Sequence, residues 1–320
     1  MSHKTSAEIQ QSLRQSGSVP AEWFRRDNLY GFMVTARVAI PFLVLIALLP
    51  TTYANLGLLG TVVVGFLIGV LAYKISIVMH DCCHASLFEK ASWNRIVGDL
   101  GGIITGSYFP SVKYTHMLHH RYNLSDKDPQ LHQLAGLDGG SRRYMAWHLS
   151  KALFGFRLVD FADDYLGISS REESSNEGSE PASGPQAKPS WFVQVVLAQL
   201  GIALIASGFG SVPGLALVYP MSAISVSLFL GRLRAVAEHV QADGEDFPDF
   251  ARSHLPSLPD QALLYEAHFN YHLEHHVFPN MPSCHLPKLH ETMRDEFHTS
   301  RTLSNSMFGT LLRRLRECPE

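Results

Sequence analysis

VAIPFLVLIALLPTTYANLGLLGTVVVGFLIGVLAY, residues 38–73, runs for 36 residues without an Asp, Glu, Lys or Arg. A second run, residues 191–231, lacks the same four residue types for 41. A helix needs about 20 residues to cross a hydrocarbon core ~30 Å thick, and ~17 suffice. Each run therefore reads as two spans joined by a minimal turn, near 50–55 in the first and 207–214 in the second. A buried helical hairpin in a large soluble protein is the competing reading, and the run lengths disfavour it. The expected fold is an all-α integral membrane protein with four transmembrane helices in two hairpins and a cytoplasmic helical cap.

Composition agrees with this. Only 17% of the 320 residues are charged, against about 25% in an average protein. Every charge and all 17 histidines fall outside the two runs, so they share one side of the membrane with both termini. Arg25, Arg26, Arg37 and Lys74 flank the first run, and Arg232 and Arg234 follow the second. An excess of basic residues marks the cytoplasmic side, and Arg37 and Lys74 can snorkel to the interface. The polar first 20 residues hold no apolar stretch of the kind a secretory signal needs. Cys82, Cys83, Cys284 and Cys318 then lie in a reducing compartment and read as small packing residues.

The histidines are clustered. His80 and His84 stand in HDCCH, His116, His119 and His120 in HMLHH, and His272, His275 and His276 in HLEHH. Spacings of three and four put side chains on one helix face, and imidazole suits iron, zinc, copper and nickel. Eight such ligands exceed what one ion accepts, so a site with two metals is expected in the cap. His80 lies six residues after Lys74 and His239 seven after Arg232. Helices continuing out of the membrane would carry both ~9–10 Å past those basic residues, provided neither helix breaks.

Three boxes in this order, HX3H, HXXHH and HXXHH, on a four-span scaffold resemble the integral-membrane fatty acid desaturase family. The similarity covers roughly residues 30–290 and includes RLRAVAEH after the fourth span and NYHLEHHVFP around the third box. The resemblance implies two iron ions held by histidines and O2 as co-substrate, acting on an unactivated C–H bond of a lipid chain. It assigns His80, His84, His116, His119, His120, His272, His275 and His276 as ligands, and His239 as the additional ligand between the second and third boxes. Some family members also place an asparagine near that position, reaching a metal through water; here Ala235 stands four residues before His239. His268 or Asn270 is the candidate substitute, as a ligand or behind one. A helix through this stretch would put His268 on one face with His272. Ligating imidazoles usually pass their other nitrogen to a carboxylate or carbonyl, and Asp126 and Asp128 are the acids expected to serve. Glu238 and Glu274 adjoin ligands in sequence but are expected to face solvent. No separate catalytic residue is expected beyond the metal ligands. His3, His132, His148, His254, His285, His290 and His298 lie outside any box and read as surface or packing residues.

Residues 1–30 read as an N-terminal cytoplasmic segment, 31–290 as the desaturase-type domain and 291–320 as a cytoplasmic tail. Met145, Leu149, Ala152, Phe156 and Val159 recur at helical spacing, as an interfacial or core helix would have them. Leu286, Leu289, Met293 and Phe297 predict another amphipathic helix. Residues 98–110 are too short to span and read as an interfacial or re-entrant segment. Residues 171–190 are rich in Pro, Gly and Ser and read as a flexible linker.

The HX3H spacing is closer to acyl-lipid desaturases and carotenoid oxygenases than to acyl-CoA desaturases. The sequence carries no HPGG haem signature, no four-cysteine cluster spacing and no GxGxxG after a strand. An external ferredoxin or cytochrome b5 is therefore expected to supply electrons, in a bacterial inner membrane or the endoplasmic reticulum. A hydroxylase or ketolase of a lipid or carotenoid on the same scaffold is the near alternative, and a histidine-rich zinc hydrolase or metal-binding membrane protein the remote one. Metal transport would require ionisable residues inside the spans, and both runs lack them. No nucleic-acid partner is expected.

Overall fold

The computed structural model describes residues 4–131, 134, 141–155, 184–241, 249–299 and 302–317. His3, His132, Phe156, Val159, Cys318 and residues 171–183 of the linker lie outside these. Among the described residues, three helices are long and apolar enough to cross a membrane: Asn28–Cys83 (α2), Pro189–Ala206 (α6) and Pro213–His239 (α7). A shorter helix, Ser6–Gln15 (α1), precedes them.

Helix α2 is not one rod. At 56 residues a straight helix would extend about 84 Å, yet its first residue meets the segment just beyond its last. Asn28 Nδ2 donates to Glu89 Oε2 at 3.0 Å, and the Glu89 amide donates back to Asn28 Oδ1 at 3.0 Å. The chain reverses at Gly57, whose φ of 61° and ψ of −150° are non-helical. The turn thus falls just past the expected 50–55, because Pro50 is accommodated within helix and only glycine enters this backbone region without strain. Val34, Val38, Phe42, Ile46 and Leu49 of the first limb share one buried cluster with Ile68, Ala72, Ile75 and Met79 of the second.

The second hairpin turns where expected, through Gly208 and Gly210 at φ 60° and 89°. Helix α7 opens with a 3-10 turn and carries a π-helical turn at Ala223–Ser227. There it meets the second limb of α2 closely. A Cβ on Gly69 would sit 2.6 Å from Val226 Cβ and 2.9 Å from the Ser222 carbonyl, so only a small residue lets these backbones approach.

The remaining helices pack at one end of the hairpins. Ala91–Thr105 (α3) and Phe109–Tyr122 (α4) are separated by Gly106, a left-handed helix cap at φ 77°. Residues 98–110 are therefore no free-standing segment; they close α3 and open α4, with Gly101 against Met79. Arg142–Leu153 (α5) buries Met145, Leu149 and Ala152 as its spacing predicts. Leu258–Leu263 (α8) and His272–Val277 (α9) follow. Leu286–Met293 (α10) buries Leu286, Leu289 and Met293, which join Phe297 and Ile9 and Leu13 of α1 in one core. The all-α expectation needs one amendment: Ser253–His254 (β1) pairs in parallel with Leu303–Ser304 (β2). Met307–Glu317 (α11) ends the described chain.

His254, in that ladder, is fully buried. Burial, reinforced by the nearby Arg252 charge, pushes its imidazole down to about 3 from 6.5. The sign follows directly: between those values the unfolded chain binds the proton and the folded one does not. Stability is complete above pH 6.5 and falls as pH drops toward 3, by at most about 1.4 kcal/mol per pH unit. Thermal unfolding in detergent should therefore be less acid-sensitive across that window for His254→Phe than for the wild type. Identical slopes would contradict it.

Candidate metal centre

Four chain segments deliver nine histidines to one place. α2 continues unbroken past Lys74 to Cys83, placing His80 in its last turn and His84 at its C-cap. α4 presents His116, His119 and His120, α7 ends at His239, and α9 holds His272, His275 and His276. The helical continuation expected from Lys74 and Arg232 is realised on both sides.

The imidazoles divide into two groups. In the first, one nitrogen each from His80, His84, His116, His120 and His275 lie within 4.8 Å of one another. His116 Nε2 stands 2.8 Å from His84 Nε2 and 3.0 Å from His120 Nε2, and His275 Nε2 lies 3.0 Å from His120 Nε2. Two nitrogens bound at about 2.1 Å to one ion and at right angles are separated by about 3 Å. The spacing matches that of ligands around a shared ion. Burial, aided by neighbouring imidazoles, drives His116, His120 and His275 well below the usual histidine range. Burial and the Lys113 charge bring His84 to about 3. All four are neutral near pH 7, with lone pairs available for a metal.

The second group comprises His119, His239, His272 and His276. Nitrogens of His119, His239 and His276 lie within 4.8 Å of one another, as do ligand atoms of Glu238, His239 and His272. His272 Nε2 is 2.8 Å from His239 Nε2. The outward nitrogens are anchored: His119 Nδ1 donates to Asp128 at 2.9 Å, and His239 Nδ1 to the Phe250 carbonyl at 3.1 Å. Such bonds set tautomer and ring direction. Asp128 also accepts from the Leu124 and Gln130 amides. Burial would raise its carboxyl, but these bonds, led by His119, hold it below the usual range. Both nitrogens of His80 and Nε2 of His276 are buried without a hydrogen-bond partner among the described residues. Orphaned donors and acceptors of this kind fit a metal-binding centre.

Not every expected residue joins. Asp126 is exposed, and Asp128 alone of the pair reaches a box histidine. The stretch before α9 is a turn rather than a helix, with Ala267 and His268 at φ 51° and 58°, so His268 points to solvent instead of stacking over His272. Asn270 Nδ2 donates to the His254 carbonyl at 2.9 Å, tying the turn to β1. Two acids expected at the surface are buried instead. Glu274 accepts from His290 at 2.5 Å and His298 at 2.7 Å, and from the Ser253 hydroxyl. Its partners lie 16 to 24 residues away, beyond any local pattern; its place two residues after His272, off the ligand face, was the one available signal. Glu238 enters the second group itself. Asp81, beside His80, accepts from Ser283 at 2.7 Å.

A cavity of about 240 Å³ adjoins both groups, lined by His80, His116, His119, His239 and His272. One wall is the face of α7 formed by Ile224, Ser227, Leu228, Gly231, Ala235 and Glu238; the other includes Ala72, Ser76 and Ile77 of α2. Recurrence at three and four residues identifies a single helix face, and three of its members are small.

The fatty acid desaturase family profile matches residues 56–306. The omega-3 fatty acid desaturase fat-1 of Caenorhabditis elegans is 30% identical over 113 residues, 35% of this chain and 28% of that protein. A fatty acid desaturase of Bacillus subtilis is 38% identical over 47 residues, 15% of this chain and 13% of the relative. The matched stretches thus span less than a third of either relative, whereas the family profile takes in the second limb of α2, α7 and all three boxes. The chain belongs to the fatty acid desaturase family.

Proposed function

We propose that this protein is an oxygen-dependent, di-iron desaturase that introduces a double bond into the fatty acyl chain of a membrane lipid. The observation carrying this reading is the convergence of nine histidines, eight of them buried and His120 half-buried, in two groups, on a cavity walled by two of the apolar helices. The limbs of α2, residues 28–56 and 58–83, are about 43 and 39 Å long at 1.5 Å per residue. Each exceeds the hydrocarbon core, so with α6 and α7 they make four spans. The second limb has length to spare for carrying His80 beyond the interface. Both termini and the histidines lie on the cytoplasmic side, by the basic flanks of the spans.

His80, His84, His116, His120 and His275 hold one ion; His119, His239, His272 and His276 hold the other. Bound iron supplies, with O2, an oxidant able to take hydrogen from an unactivated C–H bond. The chain's own residues do the rest. Asp128 and the Phe250 carbonyl keep His119 and His239 in the tautomer that turns Nε2 inward. Ser227, Gly231 and Ala235 leave width for a methylene chain beside the metals, and Ile77, Ile224 and Leu228 exclude water along it. Electrons arrive from a separate ferredoxin or cytochrome b5 at the cytoplasmic face.

The test is a lipid profile of host cells expressing wild type beside His120→Ala. A new species lighter by two hydrogens, present only with the wild type, is expected. One heavier by a single oxygen would assign a hydroxylase instead. No new species from iron-loaded protein supplied with donor and lipid would overturn the proposal.

A further inference from the structure

Three carboxylates are buried around the histidines outside α2, and one differs from the others. Asp128 accepts three hydrogen bonds, from His119, Leu124 and Gln130. Glu274 accepts three, from Ser253, His290 and His298. Glu238 is only 1% exposed, yet neither of its oxygens receives a hydrogen bond among the described residues. Arg234 Nε lies 3.1 Å from Oε2 as an ion pair, but out of hydrogen-bonding alignment. Its guanidinium stacks on Phe269, 4.1 Å from the ring centroid. A carboxylate withdrawn from water at this depth is costly unless something replaces its hydration. What Glu238 does face is the second histidine group: Oε2 is 3.5 Å from His272 Nε2, within the 4.8 Å set that includes His239.

We infer that Glu238 is an anionic ligand of the second metal, completing a set of four imidazoles and one carboxylate beside the five imidazoles of the first. This rests on the reading of both groups as metal sites. Charge supports it. Two dications among neutral imidazoles, with Arg234 alongside, leave a buried excess of positive charge, and one carboxylate on the metal offsets part of it. The arrangement also makes the two metals unequal: the second, with an oxygen anion, is the harder site and favours the more oxidised ion.

The experiment titrates full-length apo-protein in detergent with ferrous iron alone, then records iron per chain and ⁵⁷Fe Mössbauer spectra. Wild type should take two irons in two distinguishable doublets. Glu238→Gln should weaken one of them by at least about tenfold and shift or remove one doublet, leaving the other unchanged. Glu238→Asp retains the anion and guards against loss of folding; it should hold both irons with one doublet shifted. Arg234→Met should keep both irons at wild-type affinity. Unchanged affinity and doublets in Glu238→Gln, or equal weakening in Arg234→Met, would make Glu238 a counter-ion only and overturn the inference. Fewer than two irons in the wild type would sink the two-metal reading itself, and the ligand assignment with it.

Discussion

His116→Ala should reduce turnover by more than about a hundredfold, because removing even a residue behind a ligand commonly costs 10–100-fold. Iron content should fall from two ions per chain to one. His116 is the residue to remove because its Nε2 lies 2.8 Å from that of His84 and 3.0 Å from that of His120, the densest point of the first group. The variant should still insert and remain monodisperse, since α4 contributes none of the apolar spans. The second group, held by Asp128 and the Phe250 carbonyl, should keep its metal. Metal analysis on the purified variant decides the matter. Two irons retained with activity intact would remove His116 from the ligand set.

Gly231→Leu tests the cavity and separates substrate access from metal binding. Gly231 lines the cavity between Ser227 and Ala235, and a Cβ there meets nothing within 4 Å. A leucine side chain therefore fits the helix and enters the space assigned to the acyl chain. Displacing a substrate by about 1 Å can cost about a hundredfold in rate, so activity should drop on that scale. Iron content should stay at the wild-type value. Thermal stability should rise slightly, because glycine in a helix interior costs roughly 0.5–1 kcal/mol relative to alanine. Wild-type turnover of the usual lipid by this variant would place the chain's path elsewhere.

Much of this was readable before any coordinates. The two uncharged runs announced apolar hairpins, because the bilayer imposes a length and a polarity that no other environment demands. The 3- and 4-residue spacings within HDCCH, HMLHH and HLEHH announced convergent imidazoles, since a helix face converts that spacing into convergence. His239 was reached through the family resemblance of RLRAVAEH, supported by helix continuation from Arg232, and the chain does stay helical from Lys74 to Cys83 and from Arg232 to His239. The reading failed where geometry was local but unsignalled. His268 seemed to stack over His272, but two consecutive residues at positive φ turn it outward. The first turn slipped from residues 50–55 to Gly57 because proline bends a helix while a reversal needs the backbone freedom of glycine.

The sequence by itself determined the apolar hairpins and eight of the nine histidines, which depend on composition and short-range spacing, while family resemblance added His239 and the class of protein. Only the tertiary structure decided how those histidines partition, five in one group and four in the other, because neighbours such as His119 and His120 point about 100° apart on one helix and serve different groups. It also decided which acids matter. Asp128 turns to His119 while Asp126 faces water, Glu274 finds His290 and His298, and Glu238 is buried beside His272 without a hydrogen bond among the described residues. Glu274 and Glu238 meet partners far along the chain, and such partners come together only once the helices have packed.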